Sequence, residues 1–151
     1  MANRPLRVLL AEDNNAHATL VERSLEDHGF DVEIIRVRDG DEALKYLHRQ
    51  GPLVEPGESL PDLVLLDLRM PKTDGLEVLR QIKSDGKLHR LPVVVLTTSA
   101  SESDVDQAYE LRANSYLVKP ADFEQFSTLM RDLGFYWSRW NKAPRVCAAA
   151  R

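Results

Sequence analysis

Acidic, hydroxylic and basic residues stand where apolar runs stop. Leu6–Ala11 runs into Glu12-Asp13, Leu63–Leu66 into Asp67, the run at 92–97 closes on Thr97, and Ser115–Val118 runs into Lys119. Carboxylates gathered in one pocket repel, and some are pushed towards protonation unless a cation offsets them. Oxygen donors without a neighbouring His or Cys suit Mg²⁺ or a similar hard ion. Such an ion keeps waters and takes a further oxygen from its partner, which a phosphoryl group can supply. Lys119 adds a fixed positive charge and Thr97 a hydroxyl donor. A carboxylate flanked by metal, ammonium and hydroxyl is suited to accept a phosphoryl group as an acyl phosphate, and Asp is an established nucleophile for it.

For these residues to meet, the runs must be neighbouring strands that end on one edge. Each is short, apolar and bounded by turn residues, as in strands buried on both faces. Val32–Val37 reads as a further strand. Between the strands, apolar residues recur at helical spacing: Ala16, Leu20, Val21 and Leu25; Ala43, Leu44 and Leu47; Leu76, Val78, Leu79 and Ile82; Val105, Ala108, Tyr109 and Leu111; Phe123, Phe126, Met130 and Leu133. Asn14 or Asn15, Asp74-Gly75 and Ser101 supply helix starts, Asp39-Gly40 makes a turn, and Gly29 and Asn114 read as left-handed stops. Lys119-Pro120 is a candidate cis bond that would aim the ammonium inward. Residues 51–61, with three prolines and two glycines, form a long surface loop. Strand and helix alternate five times, which predicts an α/β fold: a doubly wound parallel sheet with helices on both faces and right-handed crossovers. Ligands bind at the C-terminal strand ends of such sheets.

At 151 residues the chain fits one domain, and with 43% apolar and 29% charged residues it has an ordinary globular composition. The net charge of −4 disfavours a nucleic-acid binder. A single cysteine, Cys147, fits a reducing compartment. The N-terminus lacks the apolar core of a signal peptide, and no apolar run spans a membrane, so the expected location is cytoplasmic. His17, His28, His48 and His89 are scattered and read as surface or core-edge residues. Arg139, Lys142, Arg145 and Arg151 read as a solvated tail.

Glu12-Asp13, Asp67, the MPKTDG segment at 70–75, LTT at 96–98 and YLVKP at 116–120 together resemble the receiver domain of two-component response regulators. The resemblance implies a flavodoxin-like five-stranded sheet in the order 2-1-3-4-5. It implies that Asp67 takes phosphate from the phosphohistidine of a sensor histidine kinase. Mg²⁺ (or Mn²⁺, with Ca²⁺ possible in crystals) would sit on Asp13, Asp67 and the Arg69 carbonyl, with Glu12 holding it through water. Thr97 and Tyr116 would form a switch pair and Lys119 would hold the phosphate. Thr98 stands where the family most often has Ala or Gly and narrows access to the site. Arg69 and Ser99 occupy positions that tune phosphate loss, and Arg69 is expected to screen the acyl phosphate from water. The loop before Pro61, the run at 91–100 and the aromatic C-terminal end are similar to stand-alone regulators that partner phytochrome-type histidine kinases.

The expected organisation is a receiver domain at 1–133 and an aromatic arm and tail at 134–151, with no output domain. Phe135, Tyr136, Trp137 and Trp140 cluster where little core remains to cover them, and aromatics with a polar handle favour interfaces. A homodimer through the fourth helix, fifth strand, last helix and this arm is therefore expected. Three rivals fit less well. An Mg²⁺-dependent aspartyl-phosphate phosphohydrolase usually needs a second Asp two residues after the nucleophile, where Arg69 stands. A flavin protein would want a Gly/Ser/Thr phosphate loop where Glu12-Asp13 would repel the phosphate. A pseudo-receiver that only binds partners would not need the intact acid set.

Overall fold

The computed structural model describes residues 4–144. Five parallel strands, β1 (Leu6–Ala11), β2 (Val32–Val37), β3 (Leu63–Leu66), β4 (Val93–Thr97) and β5 (Ser115–Val118), lie in the order β2-β1-β3-β4-β5. They alternate with α1 (Asn15–Asp27), α2 (Gly40–Leu47), α3 (Gly75–Ser84), α4 (Glu102–Glu110) and α5 (Phe123–Phe135). This is the flavodoxin-like order that the resemblance implies. Each helix starts on a short polar residue, Asn14, Asp39, Asp74, Ser101 or Asp122. Its side chain accepts the backbone N–H three residues on, which satisfies a donor the helix cannot.

The two-residue period of the strands sorts each apolar run into two layers. Leu9, Val64, Leu66, Val93 and Val95 face α2, α3 and α4 and pack with Ala43, Leu47, Val78, Leu79, Ile82 and Ala108. Val8, Leu10, Leu63, Leu65, Val94 and Leu96 face α1 and α5 and pack with Val21, Leu25, Phe126 and Met130. No helix among the described residues is long and apolar enough to cross a membrane.

Two expected turns differ from the structure. The left-handed residue after α4 is Arg112 (φ 71°), not Asn114. The Asn114 side chain instead accepts from the Val93 N–H at 2.8 Å and from Lys83 Nζ at 3.0 Å, so it joins β4 to α3 rather than stopping a helix. The Lys119–Pro120 peptide is trans, as are all described peptides. The ammonium points inward anyway, because its carboxylate partners lie there.

The 51–61 loop is held down by a buried polar cluster. Glu58 accepts from the Tyr46 hydroxyl at 2.9 Å, from Arg49 at 3.1 Å, and from the guanidinium of Arg7, itself buried in β1. Arg7 also donates to the Ser59 carbonyl and to Glu33.

After α5 the chain makes one wide π-helical turn, Tyr136–Trp140, closed by the Asn141 N–H on the Tyr136 carbonyl at 2.7 Å. Gly134 lets α5 approach Phe30: a methyl there would stand 2.5 Å from the Phe30 ring. Phe135 meets Phe30 edge-on at 6.3 Å. Little core covers Tyr136 and Trp140, which are exposed, whereas Trp137 folds back onto the α1/α5 layer. Cys147, Arg145 and Arg151 lie outside the described residues.

Candidate functional site

Sheet register brings the polar strand ends into one place. Ala11 pairs with Leu66 and Thr97 with Val118, so the next residues, Glu12, Asp67 and Lys119, rise from the same edge. The Asp67 N–H donates to the Ala11 carbonyl and the Lys119 N–H to the Thr97 carbonyl, at 3.0 and 2.7 Å. Carboxylate oxygens of Glu12, Asp13 and Asp67 lie within 4.8 Å of one another. Glu12, Asp67, Thr97 and Lys119 are buried and Asp13 is exposed.

Lys119 is the counter-charge. Its Nζ donates to Asp67 Oδ2 at 3.0 Å and to Glu12 Oε1 in a closer contact, with 2% of the side chain exposed. Burial holds the Glu12 carboxyl above its ordinary value. The Asp67 charge pushes the same way, against the pull of Lys119. The donor set fits a hard divalent ion: three carboxylates crowd together and a single ammonium cannot balance them.

The segment from Leu68 to Asp74 is clamped at both ends. Gly75 sits against the Asp67 backbone, where a Cβ would fall 2.3 Å from the Asp67 carbonyl oxygen. Gly40 sits against Thr73, where it would fall 1.7 Å from that residue's carbonyl oxygen. Neither position tolerates a side chain. A cleft of about 360 Å³ opens beside Asp13, lined by Arg69, Met70, Pro71, Asp74 and Asp104.

On the other side stand the hydroxyl groups. Thr97 is fully buried and Thr98 exposed at the mouth. The Tyr116 hydroxyl donates to the Ser99 carbonyl at 2.8 Å. Burial raises the phenol's pKa, which keeps it protonated as a donor. Arg69 turns its guanidinium to Asp104 Oδ2 at 2.6 Å, and its backbone N–H donates to Asp67 Oδ1 at 3.2 Å.

Two residues here were not foreseen. His17 brings Nδ1 to 3.0 Å from Lys119 Nζ. Burial and the Lys119 charge lower its pKa, so the ring is neutral and accepts from the ammonium. Its signal was positional: it lies three residues after the Asn14 cap, in the helical turn that rises beside Glu12. Asp104 was hidden by an ordinary role, because Ser101-x-x-Asp104 is capping-box spacing.

Acid triad, ammonium and buried threonine thus share one strand edge in the expected order, and the response regulator receiver domain family matches residues 8–131. The chain belongs to the response regulator receiver family. A probable methanogenesis regulatory protein, FilR2 of Methanothrix harundinacea, is 50% identical over 145 residues, 95% of this chain and 90% of that protein. Response regulator Rcp1 of Synechocystis is 41% identical over 136 residues, 90% of this receiver and 91% of the relative. The crystal structure of the phosphorylated cyanobacterial phytochrome response regulator RcpA has a TM-score of 0.85 at 39% identity, covering 93% of this receiver and 99% of that chain. The Mn²⁺-bound form of Rcp1 also gives 0.85, at 41% identity and with the same coverage. The receiver is therefore similar to phytochrome response regulators, as its motifs implied.

Proposed function

We propose that Asp67 accepts a phosphoryl group from the phosphohistidine of a sensor histidine kinase and that the protein relays this event by reshaping the surface of α4, β5 and α5. The observation that carries the reading is the burial of Asp67 between Lys119 and the Glu12–Asp13 pair. It is a carboxylate with charge partners already in place and no catalytic acid two residues on. An Asp67 oxygen attacks phosphorus while the P–N bond to the kinase imidazole breaks, leaving an acyl phosphate and a free histidine. Lys119 can transfer a hydrogen bond from Asp67 Oδ2 to a phosphoryl oxygen. A divalent ion, Mg²⁺ or Mn²⁺, held by Asp13, Asp67 and the Arg69 carbonyl, with Glu12 reached through water, would offset charge during transfer. The Thr97 hydroxyl then turns to the new group, and the Tyr116 ring moves into the space it leaves. Thr98, at the mouth, narrows the donor's approach.

The input is assigned to a phytochrome-type kinase, supported by the likeness to Rcp1 and RcpA. FilR2 carries a name from a different physiology, so donor preference belongs in the test. A kinase that phosphorylates with cytoplasmic ATP also places the receiver in the cytoplasm. Incubation with Mg²⁺ and a small phosphodonor should add the mass of one phosphoryl group to wild type and none to Asp67→Asn. In the same assay, a phosphorylated phytochrome-type kinase should label wild type faster than an unrelated kinase. Labelled Asp67→Asn would remove the assignment, and equal donor rates would remove the phytochrome input.

We further assign the receiver unit to residues 1–133 and an assembling arm to 134–151. Tyr109 on α4, Val118 on β5 and Phe123 on α5 are exposed, as are Phe135, Tyr136 and Trp140 at the arm. A homodimer through these surfaces would bury both, with Trp137 bracing the arm on its own domain. Tyr136→Ser/Trp140→Ser should sediment as a monomer at concentrations where wild type is a dimer. Unchanged sedimentation would confine the arm to its own chain.

A further inference from the structure

Asp104 has no part in the chemistry above, yet it is tied to it through Arg69. It lies in the first turn of α4 and is buried, its side chain 11% exposed, while the Arg69 side chain is 69% exposed. Its Oδ2 accepts from Arg69 Nη2 and from Ser99 Oγ, both at 2.6 Å. Ser99 in turn receives the Tyr116 hydroxyl on its carbonyl. The guanidinium nearest in sequence to the phosphoacceptor is therefore bonded to α4 and not to Asp67.

We propose, on the phosphoacceptor reading above, that Asp104 is a positioning residue that holds the Arg69 guanidinium off Asp67 and so sets how long a phosphoryl group survives there. Arg69 is largely solvated, so its pair with Asp104 is weak enough to be exchanged. A phosphoryl group on Asp67 brings two negative charges and strong acceptor oxygens within reach of the same side chain. Asp104 and the phosphoryl group compete for one cation. When the cation sits on the phosphoryl oxygens it covers the face that water would attack. When it sits on Asp104 that face is open. The competition is reciprocal: losing Arg69 leaves Asp104 buried with the Ser99 hydroxyl as its remaining side-chain partner. The segment from Ser99 to Ser101 must then readjust, and Tyr116 is bonded to it. The pair is thus a second connection, besides Thr97, between Asp67 and the α4–β5 surface.

The test is a double-mutant cycle on phosphoryl lifetime, with Mg²⁺ and a small phosphodonor removed after loading. Asp104→Asn, which keeps shape and loses charge, should lengthen the lifetime several-fold in the wild-type background. It should change nothing in an Arg69→Gln background. A merely structural role for Asp104 would give the same change in both. No change in the wild-type background, a shorter lifetime, or equal effects in both backgrounds would each overturn the inference while leaving Asp67 as phosphoacceptor. A wild type that takes up no phosphoryl group overturns both. Asp104→Ser, scored the same way, covers the case in which the amide fails to fold.

Discussion

Lys119→Met is expected to lower stability in chelator by about 3–5 kcal/mol, the usual cost of removing one partner from a buried ion pair. The ammonium lies between two buried carboxylates, and its loss leaves Glu12 and Asp67 facing each other. Protonation of Glu12, already favoured by burial, limits the damage but does not remove it. A divalent ion can replace the missing charge. Addition of Mg²⁺ should therefore restore most of the loss, and the variant should bind the ion more tightly than wild type, in which Lys119 competes for the same oxygens. Urea unfolding in chelator and in Mg²⁺ reads both effects. Equal destabilisation in the two conditions would mean that the lysine contributes packing rather than charge. Phosphoryl uptake should also fall, since the hydrogen bond offered to the incoming oxygens is gone.

The second large effect is far from that edge. Glu58→Ala should cost about 3 kcal/mol, because it strands a guanidinium in the fold with the Ser59 carbonyl, Tyr46 and the more exposed Glu33 as its remaining partners. Burial alone would raise the Glu58 pKa. The Glu55 backbone N–H, the Tyr46 hydroxyl and the Arg7 and Arg49 guanidinium groups outweigh it and hold the carboxyl below its ordinary 4.5. A carboxyl depressed on folding contributes stability above the unfolded-state value and loses it as pH falls through the folded one. The gap between wild type and Glu58→Gln should therefore be widest near neutrality and close below about pH 4.5. Thermal unfolding across pH 3–8 measures it, and a constant gap would show that Glu58 acts by shape alone.

The strands were legible because their apolar runs are bounded by prolines and polar residues. β1, β2, β3 and β5 begin and end where the sequence changes character, and β4 gives up only Pro92, which has no N–H to offer. The acid cluster was legible for the same reason, since strand ends in a parallel sheet fall on one edge. Contacts between polar side chains far apart in sequence were not. Arg7 and Glu58 are separated by 51 positions, one inside an apolar run and one in a loop that reads as solvated. Arg69 and Asp104 are 35 apart, and each has an ordinary local explanation. Asn114 was misread because its amide bonds across the sheet rather than to its own helix. Periodicity reports which face a residue is on, not which partner it finds there.

At positions 40 and 75 main chain fills the space that a side chain would need, so the stretch beside Asp67 is packed backbone against backbone. The opposite side of the pocket is fastened by hydroxyl and carboxylate contacts at Ser99, Asp104 and Tyr116, which exchange without steric penalty. A pocket with one jaw of close-packed main chain and one jaw held by side-chain hydrogen bonds is expected to yield to expansion at its centre on the second side. On the proposed phosphoacceptor reading, the direction of the response would then be set by the static packing of main chain around the two glycines.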